Sequence, residues 1–151
     1  MTKFLLAVHV IAAILAIGPV AVAASMFPPV ARRAAATTGP GSTDATASLH
    51  LLHRICRVYA VVGVVVPVFG FATAGEMGVL GSPWLIVSIA LTALAALVLV
   101  ALVLPAQSAL LEGSTETGRA ARLAMYTGLF NLLWAAVTVL MIVRPGSTTG
   151  A

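Results

Sequence analysis

Residues 84–104 read WLIVSIALTALAALVLVALVL, a run without one charged side chain. An α-helix rises about 1.5 Å per residue, so about 20 apolar residues cross the hydrocarbon core of a bilayer, which is roughly 30 Å thick. Trp84 begins the run, and tryptophan is enriched where a helix meets the membrane–water interface. This stretch therefore predicts a transmembrane helix.

The rest of the chain has the same character. Of its 151 residues, 61% are hydrophobic and 8% are charged, whereas soluble domains average about 45–50% and about 25%. Three further apolar runs are long enough to span a bilayer: residues 4–27, residues 58–74 within a helix that begins near Thr46, and residues 123–143. We predict an all-α, up-down bundle of four transmembrane helices forming a single domain, residues 1–151.

The boundaries of these helices follow from prolines, glycines and capping residues. Pro28 and Pro29 are predicted to end the first helix, and Asp44 is a candidate N-cap for the second. The third helix is expected to continue with a kink past Pro105, to about Leu111. Thr115 or Thr117 would cap the last helix.

The basic residues lie at the ends of the apolar runs and predict the orientation. The first and third connections, with the adjoining helix ends, contain Arg32, Arg33, Arg54, Arg57, Arg119 and Arg122; the opposite side contains Lys3 and Arg144. Arginine and lysine favour the cytoplasmic side, so both termini are predicted to lie on the outer side of a multi-pass protein of the cell membrane. No basic cluster interleaves with aromatic residues, so the bilayer, and not nucleic acid, is the predicted partner.

His9 is the main ionisable candidate within the spans. An ionisable group inside a span is a functional candidate, and a neutral imidazole can bind haem iron. Thr138 and Met141 also lie towards the outward end of their helix, so the three are predicted to line one cofactor site. A simpler interpretation is that His9 forms a hydrogen bond to a carbonyl or hydroxyl group on a neighbouring helix. A proton or quinone role is a third interpretation.

A second candidate site lies on the second helix. His50, His53, Arg54 and Arg57 recur at i, i+3, i+4 and i+7, which places them on one helical face. They could bind an anionic group: a lipid phosphate, a haem propionate or a carboxylate. Alternatively, they are a solvated helix end that anchors the span by snorkelling. A metal site is not predicted, because a His-x-x-His pair supplies only two ligands.

Polar residues are sparse in the middle of the predicted spans. Asn131 is expected to form a hydrogen bond with a neighbouring helix, because an unpaired amide in lipid is costly. The central parts of the predicted spans contain no Asp, Glu, Lys or Arg, which argues against an ion-coupled transporter. No Ser-His-Asp, Walker or Gly-x-Gly-x-x-Gly pattern is present, which disfavours hydrolase and nucleotide chemistry.

The opening, residues 3–19 (KFLLAVHVIAAILAIGP), together with His53-Arg54 and residues 66–70 (VPVFG), resembles an uncharacterised family of small four-span integral membrane proteins. More distantly it is similar to the copper-resistance D membrane proteins and the HemJ-type protoporphyrinogen oxidases. These also have a histidine in the first span, which in the HemJ type is implicated in haem binding. The resemblance implies that role for His9 alone, and this chain lacks the basic residues that the HemJ type has deeper in its later helices.

Three functional hypotheses result. The leading one is a redox-linked accessory protein that binds haem b through His9, or lies beside a quinone or haem enzyme. The alternative is a structural or assembly subunit without a cofactor, which packs through its small-residue faces into a larger membrane complex or a homo-oligomer. A transporter component is the third and least favoured.

Overall fold

The computed structural model describes residues 1–37, 39–113 and 118–147, and in these residues all regular structure is helical. The helices are α1 (Thr2–Ala36), α2 (Pro40–Val62), α3 (Val65–Glu76), α4 (Pro83–Val98), α5 (Leu104–Leu111) and α6 (Arg119–Val143), with a π-helical turn at Leu99–Val103. Four continuous helical stretches are long and apolar enough to cross a membrane: α1, α2 with α3, α4 through α5, and α6. We call these stretches the first to fourth spans. The prediction of an all-α chain with four apolar helices is confirmed.

The first span is longer than its apolar run. α1 continues through Pro28 and Pro29 to Ala36, instead of ending at the two prolines. Each proline removes one backbone hydrogen bond, but α1 packs along α2, and Phe27 and Pro28 are buried. Packing with a neighbouring helix therefore offsets the local preference of proline to end a helix.

The second span begins earlier than the predicted start near Thr46. α2 starts at Pro40, and Gly39 is its N-cap, so Asp44 lies inside the helix. Proline is well suited to a first helical turn, because its missing N–H has no intrahelical partner there. The caps predicted at Thr115 or Thr117 lie outside the described residues.

A break divides the second span into α2 and α3. Pro67 has no N–H to donate to the carbonyl of Gly63, and the N–H of Val66 donates to that oxygen instead, at 3.2 Å. Gly63 and Val64 keep right-handed helical backbone angles, so the two helices follow one another closely. This change in hydrogen bonding lies next to the carbonyl of Val66, and that carbonyl forms a hydrogen bond with a side chain of the first span.

The third span contains a comparable irregularity. Pro105 cannot donate to the carbonyl of Ala101, and the π-helical turn Leu99–Val103 comes immediately before it. A π-helical turn holds one extra residue, so it rotates the side chains that follow relative to a continuous α-helix. The predicted continuation of this helix to about Leu111 is confirmed.

The first span lies at the centre of the packing. α1 contacts α2, α3 and α6; α4 packs against α6, and α2 packs against α5. A large buried cluster fills the half of the bundle near the connecting arginines and includes Phe27, Cys56, Val103, Leu123 and Phe130. A smaller cluster of Ala74, Trp84 and Leu85 lies near the end of the bundle that holds both termini.

Large apolar side chains also cover the outside of every span. Ile14, Val61, Leu97 and Leu132 are each more than 60% exposed. A soluble protein rarely exposes so continuous an apolar surface. The exposed apolar surface fits a chain that is surrounded by lipid.

Candidate functional site

His53 and Gln107 form a polar contact between the second and third spans. His53 Nδ1 lies 2.9 Å from Gln107 Oε1, and the Gln107 amide nitrogen lies 3.5 Å from Cys56 Sγ. On the other side of the imidazole, Ser108 Oγ lies 3.5 Å from Nε2. Both nitrogens of His53 therefore have polar neighbours on α5.

Gln107 is the most deeply buried polar side chain of this group, with 0% of its surface exposed. Burying an amide without partners costs a few kcal/mol, so its two hydrogen bonds are needed for its burial. Gln107 lies two residues after Pro105, where the π-helical turn has changed the direction of the following side chains. The irregular third span thus places an amide against His53.

A groove of about 500 Å³ opens beside this contact. Its polar lining consists of His53, Arg57, Ser108 and Glu112, and its apolar lining consists of Leu104, Pro105 and Ala109. Arg57 and Glu112 are exposed, while His53 and Ser108 are half-buried. We call this feature the His53 groove. One cationic side chain, one carboxylate, one imidazole, one hydroxyl and an apolar wall meet in it.

The structure divides the four residues that were predicted to bind an anion. His53 and Arg57 line the groove, whereas His50 and Arg54 are exposed on α2 and are not among its lining residues. Residues that share a helical face can differ in this way because only part of that face meets α5. The structure therefore brings together half of the predicted set.

A second cavity, of about 170 Å³, lies at the same end of the bundle. Ala106, Arg119, Arg122 and Tyr126 line it. At about 100° per residue, Ala106 lies on a different face of the helix from Leu104, Ser108 and Glu112, which line the His53 groove. The arginine-rich end of the bundle thus has concave surfaces on both sides of the third span.

His9 lies near the other end and contacts the second span. Its Nδ1 is 3.0 Å from the carbonyl oxygen of Val66. A Cβ atom built on Gly70 would lie 3.0 Å from His9 Cε1 and 3.4 Å from Nδ1, so the imidazole sits directly on the glycine backbone. The hydrogen bond between helices that the simpler interpretation predicts is present.

His9 and Met141 have different neighbours in the structure. His9 contacts Val66 and Gly70, in the first half of α3. Met141 packs against the cluster of Ala74, Trp84 and Leu85, near the end of the bundle that holds both termini. The fourth span also contacts the first, where the Asn131 amide donates to Ser25 Oγ at 3.1 Å. A common site for His9, Thr138 and Met141 stays a prediction.

Thr138 and Met141 also have different surroundings. The Thr138 side chain is exposed, and its hydroxyl donates to the carbonyl of Trp134 in its own helix, at 2.9 Å. Met141 packs against the smaller buried cluster, which contains Trp84. The Asn131–Ser25 contact confirms the expected pairing of the mid-span amide with a neighbouring helix.

Gln107, Ser108 and Glu112 were not predicted from the sequence as members of a site. Gln107 is an amide close after a long apolar run and a proline, which was the available signal. The contact with His53 is between residues far apart in the chain, and it depends on the π-helical turn. Helical periodicity alone does not predict that turn.

Comparison with known protein families, curated proteins and solved structures finds no match for this chain. The resemblance to the four-span membrane family stays a prediction. The function of the protein must therefore be inferred from its own residues.

Proposed function

We propose that this chain is a multi-pass protein of the cell membrane that binds the anionic headgroup of a membrane lipid in the His53 groove. In this proposal both termini lie on the outer side, and the groove opens at the cytoplasmic leaflet. The observation that carries the proposal is the composition of the groove. Arg57 and His53 of α2 line one open groove of about 500 Å³ together with apolar residues of α5, with Ser108 and with Glu112 at its edge.

The polar lining of the groove suits the headgroup of a lipid, and its apolar lining suits the acyl chains. Arg57 is a permanently charged, planar donor that suits a phosphate group, and Ser108 adds a hydroxyl. Leu104, Pro105 and Ala109 offer an apolar wall to the first carbons of an acyl chain. A small soluble anion would make no use of that wall.

The distribution of charge supports the same partner. Arg32, Arg33, Arg54 and Arg57 lie near the groove end of the chain's spans, and the net charge is +4. Anionic lipids of the cytoplasmic leaflet attract basic residues by about 1 kcal/mol per side chain. The arginines would thus concentrate anionic lipid at the groove.

The test compares two arginines on one helix. Arg57→Gln removes the cation that lines the groove, and Arg54→Gln is the matched control, because Arg54 is exposed outside it. Purified protein is mixed with micelles of phosphatidylglycerol and phosphatidylcholine, and retained lipid is counted by native mass spectrometry. We expect Arg57→Gln to lower retention of phosphatidylglycerol about tenfold, as for a lost hydrogen bond to a charged group.

The control should keep its retention within about twofold of the unmodified protein, since Arg54 is not among the residues that line the groove. Equal losses from the two variants would indicate a diffuse surface field and would overturn the proposal. Free glycerol phosphate is the second arm. If it displaced the lipid at equal concentration, the site would bind a soluble anion instead.

A second candidate function is binding of haem b through His9. The observation that favours it is the bond from Nδ1–H to the carbonyl of Val66, which leaves Nε2 free of that bond and suited to bind iron. Haem would supply one-electron redox chemistry. Of the three predicted residues, His9 would hold the iron, because the Thr138 hydroxyl donates to the carbonyl of Trp134 and Met141 packs against the smaller buried cluster.

This candidate has a direct spectroscopic test. Protein expressed with ample haem should show a Soret band that His9→Ala removes and His50→Ala, at an exposed histidine, leaves unchanged. A colourless preparation with negligible iron would rule the candidate out. The assembly-subunit and transporter hypotheses stay predictions.

A further inference from the structure

We propose that Gln107 holds His53 with its proton on Nδ1, so that the bare Nε2 selects a phospholipid whose headgroup carries a free hydroxyl beside the phosphate. This inference rests on the proposed function and names the lipid class. Gln107 is a positioning residue in this arrangement, since it acts on the ligand through His53.

The first step is the orientation of the Gln107 amide. Its nitrogen lies 3.5 Å from Cys56 Sγ and its oxygen lies 2.9 Å from His53 Nδ1. An amide oxygen only accepts hydrogen bonds, so His53 Nδ1 must donate. Gln107 and Cys56 are both fully buried, at 0% exposure, so solvent does not compete for these bonds.

The second step concerns the other imidazole nitrogen. A neutral imidazole with its proton on Nδ1 has only a lone pair at Nε2, which makes that atom an acceptor. Ser108 Oγ is 3.5 Å away, at the upper limit of a hydrogen bond, so it satisfies Nε2 weakly. His53 and Ser108 both line the groove, and a ligand there can offer Nε2 a better donor.

The third step counts the groups that face the ligand. Among the residues that the structure describes, the groove is lined by one cation, Arg57, by two groups that only accept, His53 Nε2 and the carboxylate of Glu112, and by the Ser108 hydroxyl, which can donate or accept. A headgroup that complements them has an anion for the arginine and hydroxyl hydrogens for the acceptors. Glycerol-type and other polyol phospholipids have both features. A methyl-capped phosphate has only the anion, and a choline headgroup has no hydroxyl donor.

The experiment measures selectivity between two lipids of equal charge. Purified protein is offered phosphatidylglycerol, phosphatidylmethanol or phosphatidylcholine in mixed micelles, and retained lipid is counted by native mass spectrometry. We expect a preference of about fivefold for phosphatidylglycerol over phosphatidylmethanol, equivalent to one additional hydrogen bond. Both anionic lipids should exceed phosphatidylcholine.

Gln107→Glu tests the positioning role. A carboxylate beside Nδ1 stabilises the imidazolium, in which Nε2 becomes a donor. The Nε2–H would then donate to the phosphate that both anionic lipids carry, so the preference for the hydroxyl-bearing lipid should fall while retention of both anionic lipids persists. His50→Ala, at an exposed histidine on the same helix, should leave the preference unchanged.

A spectroscopic readout makes the result independent of whether the variant folds. Nitrogen NMR of the unmodified protein, labelled in histidine, should show His53 as the Nδ1–H tautomer. An Nε2–H tautomer, or equal retention of the two anionic lipids, would overturn this inference and leave the proposed function standing. Equal retention of all three lipids would overturn both.

Discussion

His9 and His53 form nearly the same hydrogen bond in different surroundings. Each imidazole places Nδ1 next to a carbonyl-type oxygen on a neighbouring span, at 3.0 Å for His9 and 2.9 Å for His53. For His9 the oxygen belongs to the backbone of Val66. For His53 it belongs to the side chain of Gln107.

The two histidines differ in the kind of partner that holds them. Every residue has a backbone carbonyl, and the ring of His9 rests on Gly70, where a side chain would collide. Gln107 is a specific side chain that is buried after a distorted helical turn, and a groove opens beside its partner His53. A histidine in a span can therefore connect two helices either through a backbone oxygen or through a particular side chain.

The largest expected effect tests the close packing of the His9 ring against Gly70. Gly70→Val would push a branched side chain into the imidazole of His9, and overpacking of this kind costs about 3 kcal/mol of unfolding free energy. Unfolding in detergent micelles is the measurement. Gly75→Val is the control, because a Cβ on Gly75 meets nothing within 4 Å.

The collision itself can be isolated with a double variant. Adding His9→Ala to Gly70→Val removes the ring that the valine would meet, so most of the lost stability should return. If Gly70→Val and Gly75→Val destabilised equally, the close contact with His9 would not be the cause.

The second-largest expected effect tests the hydrogen bond between His53 and Gln107. Gln107→Leu would leave the Nδ1–H of His53 without its acceptor in a partly buried position, which costs about 2 kcal/mol. Ser108→Ala, which removes only the weak contact at 3.5 Å, should cost much less in the same unfolding measurement. Similar losses from both variants would contradict the special role of the buried amide.

A third polar contact extends the comparison to the middle of the bundle. Asn131→Leu removes the bond to Ser25 between the fourth and first spans, and such bonds within membranes average about 0.6 kcal/mol. We expect a loss of this size. Thr138→Val should change stability less, because the Thr138 hydroxyl bonds to its own helix; a larger loss from Thr138→Val would reverse this ranking.

The smallest effect concerns the end of the bundle that holds both termini. The guanidinium of Arg144 lies 5.8 Å from the centre of the Trp84 ring, and Arg144 ends α6 with a left-handed backbone, φ 46°. Arg144→Ala should cost about 0.5 kcal/mol, the weak end of the range for a cation–π contact. Arg144→Lys keeps the positive charge and should retain part of the stabilisation by the cation–π contact. No measurable difference between the two variants would show that the contact contributes nothing.

The sequence predicted the fold more completely than the site. Long uncharged runs such as residues 84–104 impose helices in lipid, because every backbone polar group must find a partner within the segment. The predicted ends at Pro28 and Pro29 were wrong, since packing of α1 against α2 offsets the missing hydrogen bonds. Of the predicted anion-binding residues, His53 and Arg57 lie in the groove, and Gln107 was not foreseen.

The amino-acid sequence by itself determined the helical class and the number of apolar helices long enough to span a membrane, because hydropathy and helical rise act along the chain and need no partner. Only the tertiary structure decided which polar residues meet. The π-helical turn before Pro105 turns Gln107 towards His53, and the glycine at residue 70 admits the ring of His9. Such contacts depend on the rotation and level of one helix against another, and small irregularities in the backbone set both.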